Sequence, residues 1–192
     1  MDTPRIEPLA DPLPAPVAER LARLLPAGMA APQLFLTVAR NAGLFNWMVD
    51  SGLLGPSGLA DRKALPPALR ELLILRTCVA AGNDYEFNLH VQTISRRMGL
   101  SEAQIDDIRQ PAPSSTLWSS AERTAMRLVD ALVRRLAVDD ALYGDARAHF
   151  DEPTLIEVCH LVGLYTGVAM LVALARPSFD RYRPGPPFTT TP

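Results

Sequence analysis

Apolar residues recur every three or four positions along most of the chain, and no segment alternates strictly as a half-buried strand does. VAERLARLL (17–25) has apolar residues at 17, 21, 24 and 25. PQLFLTVARNAGLFNWMVDSGLL (32–54) predicts one or two helices, loosened near Gly43. PPALRELLILRTCVAAG (66–82) begins with proline in its first turn and stops at glycine, the asymmetry that brackets a helix. DYEFNLHVQTISRRMG (84–99) follows almost at once. SEAQIDDIR (101–109) opens with a Ser-x-x-Gln capping box, and QPAPSS (110–115) predicts a loop. SSAERTAMRLVDALVRRLA (119–137) places Ala125, Leu128, Val129, Leu132 and Leu136 on one stripe. DDALYGDARAHF (139–150) is a shorter helix, and DEPTLIEVCHLVGLYTGVAMLVALA (151–175) closes the series. The expectation is an all-α fold of about eight helices.

Proline placement sets the outer limits. Five prolines fall in the first 16 residues and four lie from Pro184 onward, so both ends are expected to be extended. This gives an N-terminal arm over 1–16, one helical domain over 17–176 and a tail over 177–192. A short echo relates Pro67-Ala-Leu-Arg-Glu71 to Pro153-Thr-Leu-Ile-Glu157, each opening a very apolar helix. The echo fits two similar helical hairpins.

LVGLYTGVAMLVALA (161–175) needs comparison with a membrane span, which takes roughly 20 apolar residues. Extending it toward the N-terminus brings in His160 and Glu157, costly groups in lipid. The expectation is therefore a core or subunit-interface helix and no membrane partner. The formal net charge is −2 and no run of Lys or Arg occurs, so no nucleic-acid partner is expected. The N-terminus lacks the basic start and apolar run of a signal peptide, and Cys78 and Cys159 form no CxxC. These features lead to an expected cytoplasmic protein.

The chemistry concentrates in GNDYEFNLH (82–90). Asn83, Glu86 and His90 sit at i, i+3 and i+7, one stripe of a helix, beside an apolar stripe of Phe87, Val91, Ile94 and Met98. Asn83 is a natural N-cap, and Glu86 would be its N3 partner in a capping-box variant. Glu71, on the preceding helix, is either a first-turn carboxylate facing the helix dipole or a partly buried one suited to proton transfer. Glu157-Val-Cys-His160 is a single Glu-x-x-His pair, where di-iron bundles use two, so no metal and no cofactor is expected.

RELLILRTCVAAGNDYEFNLHVQTISRRMGLSEAQI (70–105) resembles the carboxymuconolactone decarboxylase family, a branch of the alkylhydroperoxidase D-like superfamily. That family's hallmark is a helix with Glu, a short turn, then a helix carrying Tyr-Glu-Trp-x-x-His or Cys-x-x-Cys-x-x-x-His. Glu71 matches the family glutamate, His90 the histidine, and Tyr85-Glu86-Phe87 stands where Tyr-Glu-Trp is common. LFLTVARNAGLFNWM (34–48) is similar to the family's N-terminal helix, and Leu155 through Tyr165 to Ala173 to its closing helix. The resemblance implies an alkylhydroperoxidase D-like helical bundle that forms a homo-oligomer (a trimer, hexamer or dimer). The peroxidase branch carries two redox cysteines, which map here to Asn83 and Glu86. Neither side chain can replace a thiolate, so peroxidase activity is disfavoured.

Glu71, Glu86 and His90 remain as an acid–base set. They fit cofactor-free decarboxylation, or a related lyase reaction, on a small organic acid or lactone. His90 would be the proton donor, oriented by Glu86 or Glu71. Asn83 and Tyr85 are the neighbouring candidates for substrate contact. Arg76 or Arg40 would bind carboxylate, Arg76 being equally suited to an ion pair. A non-catalytic small-molecule-binding oligomer is the other reading.

Overall fold

The computed structural model describes residues 4–53, 65–184 and 187. Residue 54, the last of the stretch expected to be helical over 32–54, and residues 185, 186 and 188–192 of the C-terminal tail lie outside the described residues. Among the described residues there are nine helices and no strand. The all-α expectation holds.

The chain forms two compact units: Met1–Arg62 with Leu171–Asp180, and Lys63–Met170 with Arg181–Pro192. The first holds α1 (Ala15–Leu24), α2 (Gln33–Val38) and α3 (Ala42–Asp50). The expected loosening near Gly43 is a complete break, where Asn41 caps α3 by accepting a hydrogen bond from the Leu44 amide. Val17, Leu21, Val38, Ala39 and Phe45 form this unit's core. The proline-rich segment holds no helix among its described residues before Ala15, where α1 begins, and it is not free. Leu9 and Leu13 pack on the core, and the Leu9 amide donates to the Leu36 carbonyl. Pro32 offers no side-chain cap to α2; the Asp180 carboxylate accepts from the Gln33 amide instead, at 3.1 and 3.2 Å.

The second unit is built around α4 (Pro67–Ala80), which packs against α7 (Ser120–Arg135) and α5 (Asp84–Thr93). Eight consecutive residues of α4, Glu71 to Cys78, are buried, so the helix is covered all round. α6 (Glu102–Asp107) carries the expected Ser101/Gln104 capping box, and α7 carries a second, Ser119/Glu122. α7 ends earlier than its apolar stripe suggested. Leu136 takes a left-handed conformation (φ 51°) as the C-cap and is 88% exposed, so it leaves the core. α8 (Asp140–Arg147) is capped by Asp139.

α9 (Glu152–Ala175) is capped by Asp151, which accepts from the Thr154 amide. It is long and apolar enough to cross a membrane by length and composition, and only 28% of its most apolar stretch is buried. Its inner side contributes Val158, Leu161, Val162 and Ala169 to the protein interior. Its outer side exposes Ile156, His160, Gly163, Gly167 and Met170, at alternating intervals of four and three residues.

Candidate active site

A three-residue turn joins α4 to α5. Gly82 takes a left-handed conformation (φ 66°) and the Asn83 amide returns to the Cys78 carbonyl, which ends α4. Asn83 then starts α5, its Oδ1 accepting from the Glu86 amide at 3.2 Å. The expected cap is present, but the expected box is not. The Glu86 side chain turns along the helix toward His90, with Oε1 at 3.4 Å from Nε2.

This hairpin brings Glu71 against His90. The imidazole Nδ1 lies 3.1 and 3.2 Å from the two Glu71 carboxylate oxygens. Ser95, just beyond α5, donates its hydroxyl to Glu71 Oε1 at 2.6 Å. On the far side of the ring, the Tyr165 hydroxyl of α9 sits 3.4 Å from Nε2, and the two rings meet edge to face. His90 therefore has Glu71 on one nitrogen and Glu86 and Tyr165 on the other. The Nε2 contacts are long for hydrogen bonds and hold the ring less firmly than Glu71 does.

Burial disfavours charge on both members of the central pair, and the partners outweigh it. Burial raises the Glu71 carboxyl, but the His90 charge, the His90 bond and the Ser95 bond bring it below its ordinary value. Burial lowers His90, yet the Glu71 charge, with bonds to Glu71 and Glu86, pushes it up to about 10. At neutral pH the pair is carboxylate and imidazolium, with Nδ1–H donating to Glu71 and a second proton on Nε2. Burial and the Glu86 and Glu71 charges raise the Tyr165 hydroxyl well above its usual range, so it stays protonated.

Cys78 lies within the field of this cluster, fully buried, and burial with the charges of Glu86 and Glu71 holds its thiol protonated. A thiol so held is a poor nucleophile. Cys159 is exposed. Among the described residues no group of three or more His, Cys, Asp or Glu is arranged to hold a metal ion.

The other expected site residues separate. Arg76 is buried, but its donors are committed. Nε and Nη2 bind Asp130 at 3.0 and 2.5 Å, and Nη1 binds the Ile108 and Gln110 carbonyls at 2.6 and 2.8 Å. It takes the ion-pair role, tying α4 to α7 and to the chain after α6, rather than carboxylate binding. Arg40 is exposed in the turn after α2, in the first unit. Tyr85 is buried on α5, about 140° round the helix from His90 by helical geometry, so it does not share the His90 face. Asn83 and Glu86 do share that face, and each keeps one buried polar atom, Nδ2 and Oε2, without a hydrogen-bond partner.

Ser95 and Tyr165 join the cluster without having been assigned a role from sequence. Nothing local marks Ser95. Tyr165 had a signal, since it lies in the segment that resembles the family's closing helix.

The helical hairpin carries no paired cysteines, since Asn83 and Glu86 stand on the His90 face of α5. Residues 56–131 match the carboxymuconolactone decarboxylase family. Two solved structures of the debrominase Bmp8 share the fold. A cysteine-to-alanine variant in complex with 2,3,4-tribromopyrrole superposes with TM-score 0.73 at 19% identity, over 95% of this chain and 94% of that one. The apo form gives 0.71 at 18% identity, over 93% of each chain. No curated protein matches the sequence.

Proposed function

We propose that the chain is a cofactor-free acid–base enzyme acting on a small organic acid or lactone, by decarboxylation or a related lyase reaction. The observation that carries this reading is the buried Glu71–His90 pair, whose Nε2 lies beside Tyr165 and Glu86. In a decarboxylation, the bond to the carboxylate breaks and CO2 leaves. The electron pair is delocalised into a conjugated carbonyl, and carbon then takes the Nε2 proton. An acid held near 10 remains loaded at neutral pH and still protonates a more basic carbanionic carbon. Glu71 stabilises the imidazolium before transfer and fixes the Nδ1 proton afterwards. Tyr165 is proposed to polarise a substrate oxygen, since its proton is firmly held.

The test is CO2 release from 4-carboxymuconolactone by purified protein. His90→Ala is expected to reduce turnover by about 10²–10⁴-fold, the usual worth of a positioned acid. Turnover that survives the substitution would remove His90 as donor, and absence of turnover in the unaltered protein would remove this substrate. The debrominase supplies a contrasting ligand, a neutral halogenated pyrrole. Peroxide reduction is disfavoured because the single nearby thiol, Cys78, is buried and held protonated.

The assembly reading rests on α9. Exposed positions spaced four and three apart form a coiled-coil seam, and Gly163 and Gly167 in its centre have open space where a side chain would stand. A second copy of this helix is the proposed occupant, within a cytoplasmic homo-oligomer. Sizing in detergent-free buffer at low micromolar concentration tests it. A monomer would refute the seam, and a requirement for detergent would favour a membrane instead.

A further inference from the structure

We propose that Asn83 and Glu86 form a ligand-reading edge for a small uncharged molecule that carries an N–H or O–H donor beside a carbonyl, of which a lactam is the simplest form. The inference rests on the acid–base reading for location, since the edge lies on the His90 face of α5, and departs from it on the ligand, because the edge favours a lactam over the acid or lactone considered there. Both residues are more than nine-tenths buried. Asn83 Oδ1 is occupied by the Glu86 amide, which fixes the orientation of the side-chain amide and leaves Nδ2 as the free donor. Glu86 Oε1 faces His90, which leaves Oε2 as the free acceptor. Three positions separate the two residues at the start of α5, and the edge consists of the donor Nδ2 and the acceptor Oε2.

Buried polar atoms of this kind are costly to leave unpaired, and a ligand that completes both is favoured over one that completes a single atom. A carboxylate or a lactone ring edge presents acceptors only. It would satisfy Asn83 and set lone pairs against Glu86 Oε2. The cations nearby do not reverse this preference. Arg76 is committed to Asp130 and two carbonyls, His90 is flanked by two carboxylates, and the charge of Arg70 already acts on Glu71. A cis N–H/C=O edge matches both free atoms, N–H to Oε2 and C=O to Nδ2.

The experiment is titration of the full chain with three rings of one shape: 2-pyridone, N-methyl-2-pyridone and 2-pyranone, read by calorimetry and by amide NMR shifts on α5. The expected result is at least tenfold tighter binding of 2-pyridone than of either analogue. Glu86→Gln, which replaces the free acceptor by a donor, is expected to remove that preference. Asn83→Asp keeps a capping oxygen and removes only the donor; it is expected to weaken 2-pyridone at least tenfold with the helical circular dichroism unchanged. Equal binding of the three rings overturns the proposal. So does failure of 2-pyridone to bind at millimolar concentration, which would mean that water alone completes the edge, or unchanged affinity in both variants. Binding is read without turnover. A 2-pyridone preference with no CO2 release would retain the edge and remove the enzyme reading, and CO2 release with no preference would do the reverse.

Discussion

α4 and α9 begin alike, with Pro67-Ala-Leu-Arg-Glu71 against Pro153-Thr-Leu-Ile-Glu157, and end in opposite environments. α4 buries Glu71, Arg76 and Thr77 together with its leucines, whereas the more apolar α9 exposes Ile156 at 70% and Met170 at 69%. Apolar content therefore does not set burial here. Partnered charge is tolerated inside α4 because each polar side chain has been matched. Thr77 donates to the Leu73 carbonyl, Arg76 holds Asp130, and Glu71 holds His90 and Ser95. α9 has no such matching on its outer stripe, and its side chains there are of the kind that another helix covers.

The contrast breaks first at Arg76. Arg76→Ala leaves Asp130 and the Ile108 and Gln110 carbonyls without their donor. It is expected to cost about 3–5 kcal/mol, toward the lower end because Asp130 is part exposed, and urea unfolding measures it. Next is Glu71→Gln, which removes the charge that holds His90 protonated. The His90 titration, followed by NMR of the imidazole, is expected to fall from about 10 toward 6.5, and any activity to fall with it.

pH probes the same pair without mutation. Folded His90 keeps its proton to about 10, whereas an unfolded histidine releases it near 6.5. Its contribution to stability is full below about 6.5 and is lost as the pH rises to about 10. Glu71 acts in the opposite sense. Its contribution is present above about 4.5 and is lost as the pH falls through its lowered folded value. Unfolding midpoints between pH 5 and 10 should therefore decline toward the alkaline end, and should flatten in Glu71→Gln. The smallest effect on folding is expected at α9. Ile156→Asp with Met170→Lys should change monomer stability by about 0.5 kcal/mol or less at each position, while shifting sizing toward the monomer.

Elements with local punctuation were legible in the sequence. Pro66 and Pro67 start α4, Gly82 ends it, and the Ser101/Gln104 box opens α6. The Asn83 cap was legible for the same reason, because its partner is three residues away. The closeness of Glu71 and His90 was implied by the family resemblance, since a separation of 19 residues across a turn leaves no periodic trace. Ser95 and Tyr165 are 24 and 75 residues from the groups they meet, and only packing brings them there. The misplacement of Leu136 has a simpler cause. Its spacing continues the apolar stripe of α7, but the backbone has already turned left-handed at that residue.

The turn at Gly82 also works as a gear. A helix advances about 100° per residue, so one residue added between Ala80 and Asp84 must turn the His90 face of α5 by that angle or unwind its first turn. The stretch 110–115 between α6 and α7 carries no such gearing. Insertions there should leave the imidazole facing its carboxylate, whereas a single added residue at Gly82 should disengage the two. Chain length at this joint is thus part of the chemistry, set by counting residues rather than by which residues they are.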